Sequence, residues 1–223
     1  LLKPNEKCNF YQIKEGAMLI KLYDENIDPR QLKLITECLR DGGVIIYPTD
    51  TVYALGCDVL NKSAVEKVAN IKGVKVEKAD FSFVFHNLSH ISDYTKQFDT
   101  SIFKLLNKAL PGPFTFILPA NKSIPKLFQN KKKTIGIRVP DNGITRALVN
   151  QYGNPLISTS IRDEDEVIEY TTDPELIHEK YEDQVDIVID GGYGNNEAST
   201  VVDLSDGNIT ILRQGLGILE NYI

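Results

Sequence analysis

Strand-like and helix-like stretches alternate along almost the whole chain. That alternation leaves few folds open: an α/β or α+β domain built on one sheet with flanking helices. Asp28-Pro29 reads as an N-cap followed by proline at the first helical position. Leu32, Ile35, Cys38 and Leu39 then share one helical face, and Gly42-Gly43 closes the helix. Residues 44–47 form a short apolar strand stopped by Pro48. Ser63 and Glu66 fit a capping box ahead of the apolar stripe Val65, Val68 and Ala69. Residues 81–85 are β-prone, and 99–110 read as a helix broken by Pro111 and Pro113. Strands are expected at 115–118, 134–139, 156–160, 185–190, 200–204 and 209–213. Helices are expected at 144–149, ending near Gly153, and from Asp173-Pro174 to about Tyr181. No repeat or long linker divides the pattern. With 223 residues, 42% of them hydrophobic, one sizeable core is expected over 18–223. Residues 1–17 mix Lys, Glu and Asn with few apolar residues and read as a flexible N-terminal extension. Met18, the single methionine, stands near the natural start.

Composition removes several function classes. The net charge of −6 disfavours a protein whose main work is coating nucleic acid, because such binding runs on phosphate neutralisation. No apolar run reaches the ~20 residues that span a bilayer. Cys8, Cys38 and Cys57 form no CxxC pair, so reduced thiols and a cytoplasmic location are expected. Twelve acids between 163 and 190 read as a solvated acidic face, and Lys131-Lys132-Lys133 as a hairpin tip or an RNA-facing patch.

The common nucleotide signatures, G-x-x-x-x-G-K-[ST] and G-x-G-x-x-G, are missing. His86 and His90 lack the partners of a zinc site, and no metal ligand is assigned. What stands out is a set of polar segments, each placed at the end of an apolar strand. In residues 47–56, Thr49 and Thr51 follow a buried strand. Hydroxyls and backbone N–H groups there suit a phosphate or carboxylate, and they equally suit a hydrogen-bonded turn. Arg138 interrupts an otherwise apolar strand. It needs an anionic partner, either a substrate carboxylate or an internal Asp.

The segment P-T-D-T-V-Y-A-L-G at 48–56 resembles the P-T-[DE]-T-V-Y-G-L-G signature of the YrdC/YciO family. Leu110-Pro111-Gly112-Pro113-Phe114-Thr115 is similar to its W-P-G-P-x-T element, with Leu for Trp. Residues 134–140, T-I-G-I-R-V-P, resemble its [IV]-[AG]-[IV]-R-x-P strand, 199–203 its S-T-V-V-D strand, and Leu212-Arg213-Gln214-Gly215 its closing L-R-x-G. Five elements in the right order carry far more weight than any one of them.

The resemblance implies a twisted open mixed sheet with a concave, positively charged groove. It also implies an activity, the joining of L-threonine, bicarbonate and ATP into threonylcarbamoyl-AMP with release of pyrophosphate. Mg²⁺ is expected beside the ATP, and enzymes that modify tRNA at adenosine 37 are the downstream partners. The alternative is a YciO-type protein that binds a nucleotide or double-stranded RNA without synthase activity; double-stranded RNA or tRNA is a further partner, and a monomer or homodimer is expected. By the same resemblance, Lys72 stands at the Lys of a K-x-R motif as a phosphate contact. Val74 replaces its Arg, and Lys75 or Lys78 would substitute. Lys72 and Arg138 are the implied catalytic pair. Lys72, Lys75, Thr115, Ser160 and Arg213 would hold the nucleotide. Thr49, Thr51, His86, Arg138 and Ser199 would hold the amino acid. The sequence S-T-S-I-R at 158–162 keeps the serine of the family's S-x-N set as Ser160 but has Arg162 for Asn. With Gly-Gly-Tyr-Gly at 191–194, these departures resemble the YciO branch.

Overall fold

The computed structural model describes residues 16–125, 128, 133–161 and 171–223. Ten strands form one mixed sheet in the order β1-β8-β2-β3-β7-β4-β6-β5-β9-β10. They are β1 (Met18–Lys21), β2 (Ile45–Tyr47), β3 (Ala54–Gly56), β4 (Ser82–Val84), β5 (Phe114–Pro119), β6 (Thr134–Arg138), β7 (Leu156–Ser160), β8 (Ile187–Asp190), β9 (Thr200–Asp203) and β10 (Thr210–Arg213). The pairs β1–β8, β2–β8, β4–β6 and β5–β9 are parallel, and the rest antiparallel. The helices are α1 (Pro29–Arg40), α2 (Lys62–Ile71), α3 (Thr100–Ala109), α4 (Gly143–Tyr152) and α5 (Pro174–Tyr181).

The caps explain the helix starts. Asp28 and Asp173 each accept a backbone N–H at a Pro-started helix, as their sequence implies. Gly153 closes α4 with φ of 90°, a left-handed geometry that suits glycine. The Ser63–Glu66 capping box does not form. Asn61 caps α2 instead, its side chain accepting from the Ala64 N–H, and this places Ser63 inside the first turn. Two short strands are additions to the expected set. β1 is a sheet edge with mixed burial, and β3 is three residues long.

Helices cover the sheet unevenly. α1 and α4 pack with Ile45, Tyr47, Val84, Leu156, Ile187 and Ile189 in one apolar cluster. The larger cluster holds side chains of α2, α3 and α5 against Phe83, Phe114, Phe116, Ile137, Ile157 and Val202. Side chains alternate between the faces of a strand. The neighbours of that second set along β7, β4, β6, β5 and β9 must therefore face the other way. They are Ser158, Ser160, Ser82, Gly136, Arg138, Thr115, Ser199, Val201 and Asp203. Val84, Leu156 and Ile117 share that second face, the first two within the α1–α4 cluster, so the face is polar only in part, from Ser158 and Ser160 across Ser82, Gly136 and Thr115 to Asp203.

Candidate functional site

The polar face holds two hydrogen-bonded clusters, one around Arg138 and one around Ser199. Its guanidinium is buried and pairs through Nη2 with Asp50 Oδ1 at 3.1 Å and Thr51 Oγ1 at 2.9 Å. Thr49 Oγ1 donates to the Val52 carbonyl at 2.7 Å, so it accepts from Thr51 Oγ1 at 3.1 Å. The relay therefore runs from Arg138 through Thr51 and Thr49 into the backbone. Thr51 is fully buried and its hydroxyl is consumed, so it positions Arg138 in this conformation. Asp50 Oδ2 also accepts the Asp141 N–H at 3.1 Å. Burial pushes the Asp50 carboxyl above the ordinary carboxylate range, while Arg138 and the Asp141 N–H pull it back.

The internal acid that Arg138 called for is thus Asp50, from the Thr49–Thr51 turn 88 residues away. It does not satisfy the whole guanidinium. Among the described residues, Arg138 Nε is the one buried side-chain nitrogen or oxygen without a hydrogen-bond partner. Such a donor costs ~1–3 kcal/mol unless something fills it.

The second cluster lies on β5, β9 and β10. Thr115 Oγ1 and Ser199 Oγ are 2.8 Å apart, and both residues are buried. Arg213 reaches back from β10 and donates through Nη2 to the Ser199 carbonyl at 2.8 Å. Partial burial lowers the Arg213 pKa, and the positive charge of Arg138 lowers it further. The two positive charges therefore interact unfavourably, which an anion nearby would relieve. The floor beside them is bare at Gly136. A Cβ there would meet Ser82 Oγ at 2.9 Å and Thr115 Cγ2 at 3.4 Å. Ser160 joins the face through β7, opposite Ala54 of β3.

The remaining expected residues flank this core. Lys72 is half-buried at the C-cap of α2, and Lys75 is exposed three residues on. Both lie on the segment that leads into Ser82. Val74, at the position of the family's Arg, is exposed. His86 stands past the opposite end of β4, half-buried. Burial, then His90 and Arg146, hold its pKa below the ordinary histidine value, which keeps it neutral at pH 7. Arg162 and the Lys131-Lys132 pair lie outside the described residues. So do residues 1–15 and 163–170 of the acidic stretch.

Several residues at the site were not among the expected site residues. An opening of about 500 Å³ lies beside Thr49 and Asp50, walled by Thr172, Tyr193, Gly194, Asn195 and Asn196. The backbone of that wall is pinned: Asn195 N–H donates to the Thr51 carbonyl at 3.0 Å and Gly194 N–H to the Thr172 carbonyl at 2.8 Å. Asp50 and Ser82 were the readable omissions. One is an acid between two threonines, and the other is the only polar residue in F-S-F-V-F.

The chemistry of these groups, two arginines and several hydroxyls, suits an anion. A metal cage is a different matter, since among the described residues no three His, Cys, Asp or Glu side chains gather for one. Among the same residues, no helix is long and apolar enough to cross a membrane.

Comparison with known proteins gives this arrangement its context. The Sua5/YciO/YrdC family model, described as "Telomere recombination", matches residues 37–215. The uncharacterized protein YciO of Escherichia coli is 38% identical over 204 residues, covering 91% of this chain and 97% of that protein. A Coxiella burnetii protein named threonylcarbamoyl-AMP synthase is 31% identical over 166 residues, covering 74% of this chain and 88% of its own. The E. coli YciO crystal structure superposes with a TM-score of 0.84 at 37% identity, covering 93% of this chain and all of that one. P. abyssi Sua5, solved with L-threonine, has a TM-score of 0.80 at 24% identity, covering 89% of this chain and 58% of its own, and it speaks for the fold alone. By sequence and by the shared mixed open sheet, the chain belongs to the Sua5/YciO/YrdC family.

Proposed function

We propose that the polar sheet face binds ATP and L-threonine, and that the protein makes threonylcarbamoyl-AMP from them and bicarbonate. The observation that carries this reading is the buried Nε–H of Arg138, without a hydrogen-bond partner among the described residues, with the opening at Thr49 and Asp50 on the side of its Asp50 partner and Arg213 close enough for the two charges to interact. Membership of a family that includes named threonylcarbamoyl-AMP synthases supplies the reaction class.

In this reading the carboxylate of N-carboxythreonine attacks the α-phosphorus. An O–P bond forms there, the bond to the bridging oxygen breaks, and pyrophosphate leaves with the electron pair. No strong base is required, so the protein contributes alignment and charge neutralisation. Arg138 meets the carboxylate and the α-phosphate. Arg213, Lys72 and Lys75 meet the leaving phosphates, while Thr115, Ser160 and Ser199 orient them. Neutral His86 and the Thr49–Thr51 turn border the amino acid. A magnesium ion fits as one carried by phosphates and water, and it would add positive charge to the leaving group. Buried, unpaired Cys38 and Cys57 fit a reducing, cytoplasmic setting.

The test is pyrophosphate release by purified protein with ATP and Mg²⁺. Release should require both threonine and bicarbonate. ATP binding without release under those conditions refutes the synthase reading.

A second reading has its own support in the exposed Val74 at the K-x-R position and the similarity to YciO. Here the face holds a nucleotide or the phosphates of double-stranded RNA without forming the adenylate. RNA affinity would then fall steeply with salt, and a flat salt titration refutes it.

A further inference from the structure

A second cavity, of about 560 Å³, opens past the carboxyl ends of the parallel strands β4 and β6. Carboxyl ends of parallel strands are where open sheets most often take ligands. None of the residues assigned above to nucleotide or amino acid lines it. Its apolar wall includes Phe98, Phe103, Leu110, Pro111 and Val139. Its rim carries neutral amides and hydroxyls, and Arg146 is its single charged lining residue. No carboxylate faces that cation from the lining. Arg146 Nε donates to the His86 carbonyl at 3.3 Å, and among the described residues no other hydrogen bond or ion pair of its guanidinium is found. The terminal nitrogens are left for a guest.

An apolar wall closed by one cation selects for both features together. A polyanion finds too little positive charge, and an uncharged apolar molecule leaves the guanidinium unpaired. We propose that this cavity is a separate binding site for a compact monoanion with an apolar body, of the aryl- or alkyl-carboxylate class. The carboxylate pairs with Arg146 in the bidentate fashion that a guanidinium favours, and the body lies on the Phe98–Phe103 side. The site does not depend on the proposed synthase activity, because Arg138 takes no part in it.

The test is a titration of the ¹⁵N-labelled full chain with 3-phenylpropionate, its uncharged amide and acetate, followed by amide chemical shifts. Phenylpropionate is expected to give saturable shifts in the 87–92 and 107–111 segments. The amide should bind at least about tenfold more weakly, the weight of one charged hydrogen-bonded pair, and acetate at least as much more weakly because it lacks the apolar body. Arg146→Gln should remove the preference for acid over amide. Phe103→Ala, at a half-exposed ring, should weaken the acid without unfolding the protein. Lys75→Ala, at an exposed residue assigned to the other site and outside this cavity, should leave binding unchanged, which separates this site from the synthase reading. The proposal is overturned by equal affinity for acid and amide, by shifts confined to the Arg138 face, or by no saturable shift at millimolar ligand.

Discussion

Deleting the Asp50 carboxylate should cost far more than one surface charge. The pair is buried on both sides, with side-chain exposures of 8% for Arg138 and 9% for Asp50. Asp50→Ala leaves the Arg138 guanidinium in the interior with only the Thr51 hydroxyl as a described partner. Breaking a buried pair in this way costs ~3–5 kcal/mol. For a chain of this size that lowers Tm by roughly 6–20 °C. Urea unfolding and thermal melts read the loss directly. Two controls sharpen the result. The raised Asp50 pKa says that desolvation is not fully repaid, so Asp50→Leu combined with Arg138→Met should recover most of the lost stability. Pyrophosphate should raise the Tm of Asp50→Ala more than that of wild type, because it supplies the missing negative charge beside Arg138. A loss under about 1 kcal/mol, or no extra rescue by pyrophosphate, would show that Arg138 does not stand as a buried cation awaiting an anion.

Asp50 also sets a pH dependence. Its carboxyl titrates above its unfolded value, so between the two the native state holds more protons and stability falls as pH rises; Asp50→Asn should remove that slope from denaturation curves. Gly136→Val puts two methyls onto the strand floor near Ser82 and Thr115, and should weaken ATP binding by tenfold or more in calorimetry while the melt stays cooperative. Thr115→Val breaks the 2.8 Å bond to Ser199 and should cost about 1 kcal/mol in urea unfolding, with a matching drop in nucleotide affinity. Burial pushes the Cys38 thiol up to about 12 and Cys57 higher still, so a Cys8→Ser variant should give no native-state reaction with a disulfide thiol probe.

Much of this architecture was legible where local chemistry decides it. Asp173-Pro174 fixed the start of α5, and Arg138, the one charge in an otherwise apolar strand, marked β6 as carrying a buried polar contact. The Ser63 capping box failed because the helix starts earlier: Asn61 takes the cap position and accepts from the Ala64 N–H, which leaves Ser63 inside the first turn. β3 was hidden because three residues between turns carry too little pattern, and its pairing with β7 comes from a segment about 100 residues later. The site was half legible for the same reason. A strand arginine announces its need of an anion but not which one. That Asp50 answers through Nη2 and leaves Nε empty depends on β6 and the turn after β2 meeting in three dimensions. The Arg213–Ser199 contact likewise needs the β9–β10 hairpin to fold back.

The most direct measurement is the side-chain Nε–H resonance of Arg138 in ¹⁵N-labelled protein, followed as ATP with Mg²⁺ is added. Anion binding against Arg138 predicts a large, saturable downfield shift that tracks the calorimetric affinity and is absent with adenosine alone. An Nε–H signal that stays fixed while ATP saturates the protein would place the nucleotide elsewhere and contradict the site.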